Sequence, residues 1–437
     1  VGPTDPAPAT ADVVLRHLRP HDLDAYYECL ASAFGTRLDA AAVEREAALL
    51  ELDRTVVALE RGELVGAAAV HRLPMTVPGG ARPPVAAVSD VAVVPTHRRR
   101  GILRAMMGCL LSDAREAGEA LSCLMASEAG IYGRFGYGPA TFAARVSVDR
   151  RRAVLLPTLD ASPAGRVTML RPDQARSALP EIYGACLERR AGEVDRLGSA
   201  WDHLFPDPGE DDASRSRFYA VLESAGTLEG YVAYSYLVER SAGRRRRVVR
   251  VDELVGASGA AVRTLWGFVV GLDLVDVLAA PARPLDDPLR FALVDSRAVE
   301  VSSVVDRSWV RLVDVAAALG GRRYGDAGRL VLEVVGAPGA EGAGSPDGRG
   351  VYLIDTDGDG VASVERIGTP EREDRAHLGG LPRLSLDLAA LGSLYLGGVP
   401  AGLLVAAGRA TPSSEEAVGV AARLFASAPA PFCTADF

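Results

Sequence analysis

Apolar positions along this chain change period several times, and each change marks an element. Residues 13–19 alternate apolar and polar side chains, as a half-buried strand does. The spacing then lengthens through Tyr26, Cys29 and Phe34, which predicts a helix with Asp22 as its cap. A second helix is expected over 40–50. Residues 55–59 and 64–73 are β-rich runs around Glu60-Arg61-Gly62-Glu63, a hairpin pattern. A proline-rich loop fills 74–84. A strand over 85–94, a helix over 102–116 and strands over 121–126 and 141–148 follow. This order predicts a mixed sheet with helices on both sides, an α/β (mixed α+β) fold.

The pattern then repeats. Strands are expected over 166–170, 218–223, 228–239 and 247–255, with helices over 172–191 and 259–270. Arg244 to Arg247 are expected in the loop before the 247–255 strand, as a solvated loop or an ion-pairing surface between subunits. In the last third, Trp309, Leu312 and Val315 stand at helical spacing within 297–317. Strands over 330–335 and 350–354 flank a glycine-rich loop, 384–391 leads into Gly392 to Gly398, and a final helix covers 414–425. The run Asp355-Thr356-Asp357-Gly358-Asp359-Gly360 looks like a calcium loop, but its twelfth position is Arg366 and not a carboxylate. It reads as a hairpin turn, and no metal is expected. Three units are drawn: 1–150, 151–290 and 291–437.

Composition narrows the function. The chain has 437 residues, too many for one ordinary core. A net charge of −9 speaks against nucleic acid and suits a cationic small molecule or peptide. The five cysteines form no CxxC pair and read as structural thiols of a reducing compartment. No apolar run has the length of a membrane span, and residues 1–11 lack the basic-then-apolar order of a signal peptide. A cytoplasmic enzyme is expected. Lysine is absent, every basic side chain apart from histidine being arginine, and no function is drawn from that.

The chemistry concentrates in Val91-Ala92-Val93-Val94-Pro95-Thr96-His97-Arg98-Arg99-Arg100-Gly101-Ile102-Leu103-Arg104. A strand runs into a basic turn, a glycine and a helix. The first turn of such a helix offers backbone N–H groups to phosphate, Gly101 allows close approach, and the helix dipole adds attraction. Neither GxxxxGK[ST] nor a strand-linked GxGxxG is present, so the ligand is a different phosphate-bearing molecule. Tyr132 and Tyr137 both follow the 121–126 strand at its C-terminal edge, where such sheets place their chemistry. The residues alone do not separate the two.

Arg98-Arg99-Arg100-Gly101-Ile102-Leu103 resembles the acyl-CoA signature [RQ]xxGx[GA] of GNAT N-acetyltransferases, with Leu103 standing in its last place. Residues 94–103, together with Ser127-Glu128-Ala129-Gly130-Ile131-Tyr132-Gly133-Arg134-Phe135-Gly136-Tyr137-Gly138-Pro139-Ala140, resemble the Eis acetyltransferases of actinobacteria. So do the chain length and the chain end. The resemblance implies tandem GNAT folds, the second degenerate, then a sterol-carrier-protein-like domain. It implies a homohexamer built as a dimer of trimers. It also implies acetyl-CoA as cofactor, held by Val91, Val93, Val94, Arg98, Arg99, Arg100, Gly101, Ile102, Leu103, Arg104, Ser127 and Glu128. A backbone N–H at or beside Val93 would polarise the thioester, Tyr132 would protonate the leaving sulfur, and the terminal carboxylate of Phe437 would take the amine proton through water. The acceptor would be a primary amine of an aminoglycoside-like molecule or polyamine, or a lysine side chain. Its contacts are expected at Asp24, Phe34, Glu128 and Asp436, with Asp39, Glu44 and Glu46 nearby. The family's aminoglycoside binders carry an early tryptophan, whereas the first here is Trp201. The alternatives are a lipid-carrier or interaction module without catalysis, and a longer acyl donor.

Overall fold

The computed structural model describes residues 12–157, 165–202, 204–205, 216–241, 244–336, 348–369, 372–373 and 380–437. Two compact units emerge. The first joins residues 1–140, 308–426 and 437; the second joins 141–307 and 427–436.

The first unit opens with β1 (Val13–His17), α1 (Leu23–Phe34), α2 (Ala40–Ala47), β2 (Val56–Glu60), β3 (Glu63–Pro74) and β4 (Pro84–Val93). Then come α3 (Ile102–Glu116), β5 (Leu121–Met125), the single turn α4 (Ala129–Tyr132) and the short β6 (Gly138–Pro139). A strand from much later in the chain, β14 (Ser308–Leu312), enters the same sheet, whose order is β1-β2-β3-β4-β5-β14-β6. Along α3, Ile102, Met106, Leu110 and Ala114 form a buried stripe against the sheet. Gly66 on β3 lets that helix come close, since a Cβ there would stand 3.2 Å from Ile102 and Met106.

The same unit holds a sheet of order β18-β17-β16-β15-β19-β20, from β15 (Gly328–Val335) to β20 (Ala410–Pro412). Its helix Leu388–Tyr395 is apolar nearly all round and buried nearly all round. Glycines permit this. A Cβ on Gly138 would fall 1.9 Å from the Ala389 carbonyl oxygen, and one on Gly392 would fall 2.1 Å from the Val310 carbonyl oxygen. The Asp355 to Gly360 run is the hairpin turn expected between β16 (Gly350–Thr356) and β17 (Ala362–Thr369).

The second unit is built on a sheet of order β13-β7-β12-β11-β10-β9-β8. Here β7 (Phe142–Asp149) lies between β12 (Val277–Arg283) and β13 (Val299–Asp306), and β10 (Thr227–Ser241) pairs with β11 (Arg244–Gly256).

Two expectations are corrected. Residues 297–317 do not form one helix. Within them 299–306 and 308–312 are the strands β13 and β14, and the helix Val315–Gly320 begins only after Asp314, whose carboxylate caps Ala317 N–H. All five residues of β14 are buried because it is an interior strand, so its apolar run shows no alternation and mimics helical spacing. Arg244 to Arg247 are not loop residues either. They open β11, each facing a residue of β10. Exposure of this end of the ribbon, as at Arg245 to Arg247, lets a strand carry charge that a buried one would not.

Candidate active site

β4 and β5 run parallel and pair at Ala86 with Ser122, Ala87 with Cys123 and Val88 with Leu124. No further pair joins them among the described residues, although β4 continues to Val93, so a wedge opens beyond Val88. A bulge lies within it. Ala67 faces Ala92 and Ala69 faces Ser89, which leaves Asp90 and Val91 opposite Ala68. Asp90 adopts φ 52°, a left-handed conformation uncommon outside glycine that aspartate tolerates better than most side chains. A bulge of this kind re-aims backbone groups that the ladder would otherwise consume.

The wedge leads to the basic turn. Val94 N–H donates to Val65 O at 3.0 Å, and Pro95–His97 form a tight 3-10 turn. Arg99 (φ 63°) and Gly101 (φ 82°) are both left-handed, and Gly101 caps α3 with no side chain closing it. The first helical bond runs from Ala105 N to Gly101 O at 3.0 Å. The N–H groups of Ile102, Leu103 and Arg104 therefore lack intrahelical acceptors and point out of the helix start.

The arginines divide the work. Arg100 pairs with Glu60, which also accepts from His97 Nε2 at 3.0 Å. The Arg100 guanidinium, with His97, holds the Glu60 carboxyl below its usual range. Arg98 leans on the carbonyls of Val93 at 3.5 Å and Ala33 at 3.4 Å. Arg99 and Arg104 are exposed beside the helix start. Arg100 thus fastens the turn to β2, and the other three leave their charge near the orphan N–H groups.

Structure separates the two tyrosines. Tyr137 is fully buried, and its hydroxyl lies 2.7 Å from Ser122 Oγ. Tyr132 ends α4 with its ring edge-on to Tyr137, centroids 6.3 Å apart. Its ring is buried, yet its hydroxyl has no hydrogen-bond partner among the described residues. Burial, and then the Glu128 charge, push the Tyr132 phenol above its usual value, so it keeps its proton. Ser127 and Glu128 follow β5 and are exposed.

The last residues are held firmly. Within the second unit, Thr434 gives both its N–H (2.9 Å) and its hydroxyl (2.6 Å) to the buried Glu193 carboxyl. Arg307 reaches the carbonyls of Cys433, Thr434 and Ala435 and pairs with Asp436 at 2.8 Å. Phe432 N–H donates to Ala191 O at 3.0 Å. Phe437 falls with the first unit.

Residues 14–140 and 192–312 each match the Acetyltransferase (GNAT) domain family, and 315–434 match the Sterol carrier protein domain family. An uncharacterised N-acetyltransferase of Streptomyces coelicolor is 35% identical over 434 residues, spanning 97% of this chain and 99% of that protein. N-acetyltransferase Eis of Mycobacterium tuberculosis is 36% identical over 356 residues, 79% of each chain. The crystal structure of an Eis protein from Mycobacterium abscessus superposes with a TM-score of 0.79 at 34% identity, covering 97% of this chain and 100% of that one. The chain belongs to the Eis family of GNAT N-acetyltransferases.

The Eis-family protein is accordingly an acetyl-CoA-dependent acetyltransferase with two GNAT domains and a sterol-carrier-like domain. Its first unit fits the cofactor: an uncapped helix start with free charge beside it suits a pyrophosphate, and an unpaired strand edge suits an extended amide-bearing arm. No helix among the described residues is long and apolar enough to cross a membrane.

Of the acceptor residues expected from sequence, Asp24 and Phe34 are exposed on α1, and Phe34 is 52% exposed at its end. Asp39 is engaged as the cap of α2, accepting from Ala42 N–H at 2.8 Å. Asp436 is tied to Arg307. Sequence reasoning missed Asp90. Tyr26 donates to Asp90 Oδ2 at 2.7 Å, and the buried Tyr27 hydroxyl feels the charges of Asp90 and Glu46. The signal was present, a carboxylate inside the apolar run that becomes β4, but the bulge that turns it is a tertiary feature.

Proposed function

We propose that this Eis-family enzyme acetylates primary amines of a cationic small molecule, aminoglycoside-like or polyamine, or of a lysine side chain, by direct attack on the thioester. Acetyl-CoA supplies an activated acetyl group. The N–H groups of 102–104, with Arg98, Arg99 and Arg104, hold its pyrophosphate. The β4 edge at Val91 and Val93 donates to the acyl oxygen and stabilises charge that develops there. Tyr132 delivers its phenolic proton to the departing sulfur, and the carboxylate of Phe437 takes the amine proton through water. The observation that carries this reading is the protonated hydroxyl of the buried Tyr132 ring, left without a hydrogen-bond partner among the described residues after β5. Asp90, Asp24 and Glu128 supply negative charge for a cationic acceptor, with Phe34 as an apolar wall. The family's aminoglycoside tryptophan being absent from α1, polyamines and lysyl peptides are the favoured acceptors. The sterol-carrier-like domain serves as scaffold, and the assembly is a homohexamer.

The test is acetyl-CoA turnover with a panel of polyamines, lysyl peptides and aminoglycosides, repeated on a chain extended beyond Phe437. Turnover with amines and a fall in kcat on extension are expected. Full kcat in the extended chain would remove Phe437 from the mechanism, and turnover only with a longer acyl-CoA would replace the donor.

A further inference from the structure

A second set of reactive side chains lies in the first unit, away from the wedge. His17 is the last residue of β1. Cys109 and Asp113 stand one turn apart on α3 and so share a face of that helix. Asp113 Oδ2 lies 3.0 Å from His17 Nε2 and 3.9 Å from Cys109 Sγ, and the ligand atoms of all three lie within 4.8 Å of one another. A zinc ion with bonds of ~2.1 Å to nitrogen or oxygen and ~2.3 Å to sulfur, at tetrahedral angles, holds its ligand atoms roughly 3.5 Å apart. The three groups are therefore already at ligand spacing.

The donor set also suits such an ion. One imidazole, one thiol and one carboxylate form a borderline-soft group that favours zinc over magnesium or calcium. Asp113 and Glu116 place two carboxylates beside the Cys109 sulfur, and such a field attracts a cation. His17 pairs with Asp113, and the Cys109 thiol, packed at the edge of the core, turns its sulfur to the same carboxylate. The side chains of His17 (47% exposed) and Asp113 (35% exposed) leave an entry path and room for water.

We propose that His17 Nε2, Cys109 Sγ and Asp113 Oδ2 bind one zinc-class divalent cation, with water in the fourth position. On binding, the Sγ–H bond breaks, its proton passes to solvent, and an Sγ–metal bond forms with no change of oxidation state. His17 coordinates as the neutral ring. The ion ties the end of β1 to α3, the helix whose first turn faces the cofactor site.

The test uses the full chain, freed of metal and titrated with Co²⁺, then Zn²⁺. Expected are one equivalent bound, a thiolate-to-cobalt charge-transfer band, displacement of that band by Zn²⁺, and a higher Tm with Zn²⁺. Cys109→Ser removes the band, and His17→Ala weakens binding about tenfold or more. The KM for acetyl-CoA of the metal-free variants serves as the control for folding. Absence of saturable binding at one equivalent overturns the proposal, and so does wild-type affinity in both variants. Should Cys109→Ser fail to fold, His17→Ala on the exposed end of β1 carries the test alone.

Discussion

Tyr137 donates its hydroxyl proton to Ser122 Oγ across 2.7 Å, because Ser122 gives its own proton to the Ala86 carbonyl at 2.8 Å. The bond lies at the first paired rung of β4 and β5, two residues before the point at Val88 where the wedge begins. Tyr137 is thereby a lock on the sheet, whereas Tyr132 beside it keeps an uncommitted hydroxyl. Tyr132→Phe is expected to lower kcat about 10²-fold, the range for loss of a general acid, with the KM for acetyl-CoA nearly unchanged. Tyr137→Phe should cost about 1 kcal/mol of stability and leave kcat nearly intact. Steady-state kinetics beside denaturant titration separates the two, and a reversed pattern would exchange their roles.

Gly101 sits at φ 82° at the start of α3. An alanine there meets left-handed strain of about 1 kcal/mol and places a methyl group at the helix start proposed to hold the pyrophosphate. Gly101→Ala should raise the KM for acetyl-CoA well above its effect on kcat. An unchanged KM would move the phosphate site elsewhere.

Glu193 anchors the chain end through two donors of Thr434. Burial raises its carboxyl above the ordinary range, so it stays protonated to higher pH than in the unfolded chain. Its contribution to stability is complete below the unfolded carboxyl value of about 4.3 and falls as pH rises through the folded value. Glu193→Gln, which is neutral at every pH, should flatten that limb of the pH–Tm curve and retain activity. Glu193→Ala leaves Thr434 unpaired and should lower both Tm and kcat. Equal behaviour of the two variants would contradict this account.

Asp22 shows the opposite sign. The Arg16 guanidinium, bonded at 2.7 Å, with the Arg19 N–H, lowers the Asp22 carboxyl to about 2. Its stabilisation is complete above the unfolded value near ~3.9 and is lost as pH falls through about 2. Acid unfolding of Asp22→Asn, followed by circular dichroism, should show a shallower acid limb than the parent. An identical limb would mean the pair contributes nothing.

Several elements follow from local pattern alone. Ile102–Glu116 is a helix because its apolar stripe, its glycine start and its polar face all agree. The hairpin of β2 and β3 follows from two β-rich runs around Arg61-Gly62, both of which take positive φ. The basic glycine turn and the tyrosine pair were visible as candidate chemistry for the same reason, since they depend on neighbours in sequence.

What sequence periodicity does not encode is which sheet a strand joins. β14 follows β13 directly yet lies between β5 and β6, while β7 pairs in the other sheet. Burial on both faces of β14 erased the alternation that would have marked it as a strand. The bonding of Tyr137 to Ser122, the capture of Arg100 by Glu60, and the meeting of His17 with Cys109 and Asp113 were decided only in three dimensions. The sequence by itself determined the basic glycine turn and the run of elements around it. The tertiary structure decided which polar groups satisfy one another and which remain available for chemistry, because hydrogen bonds between distant segments are chosen by packing and not by local propensity.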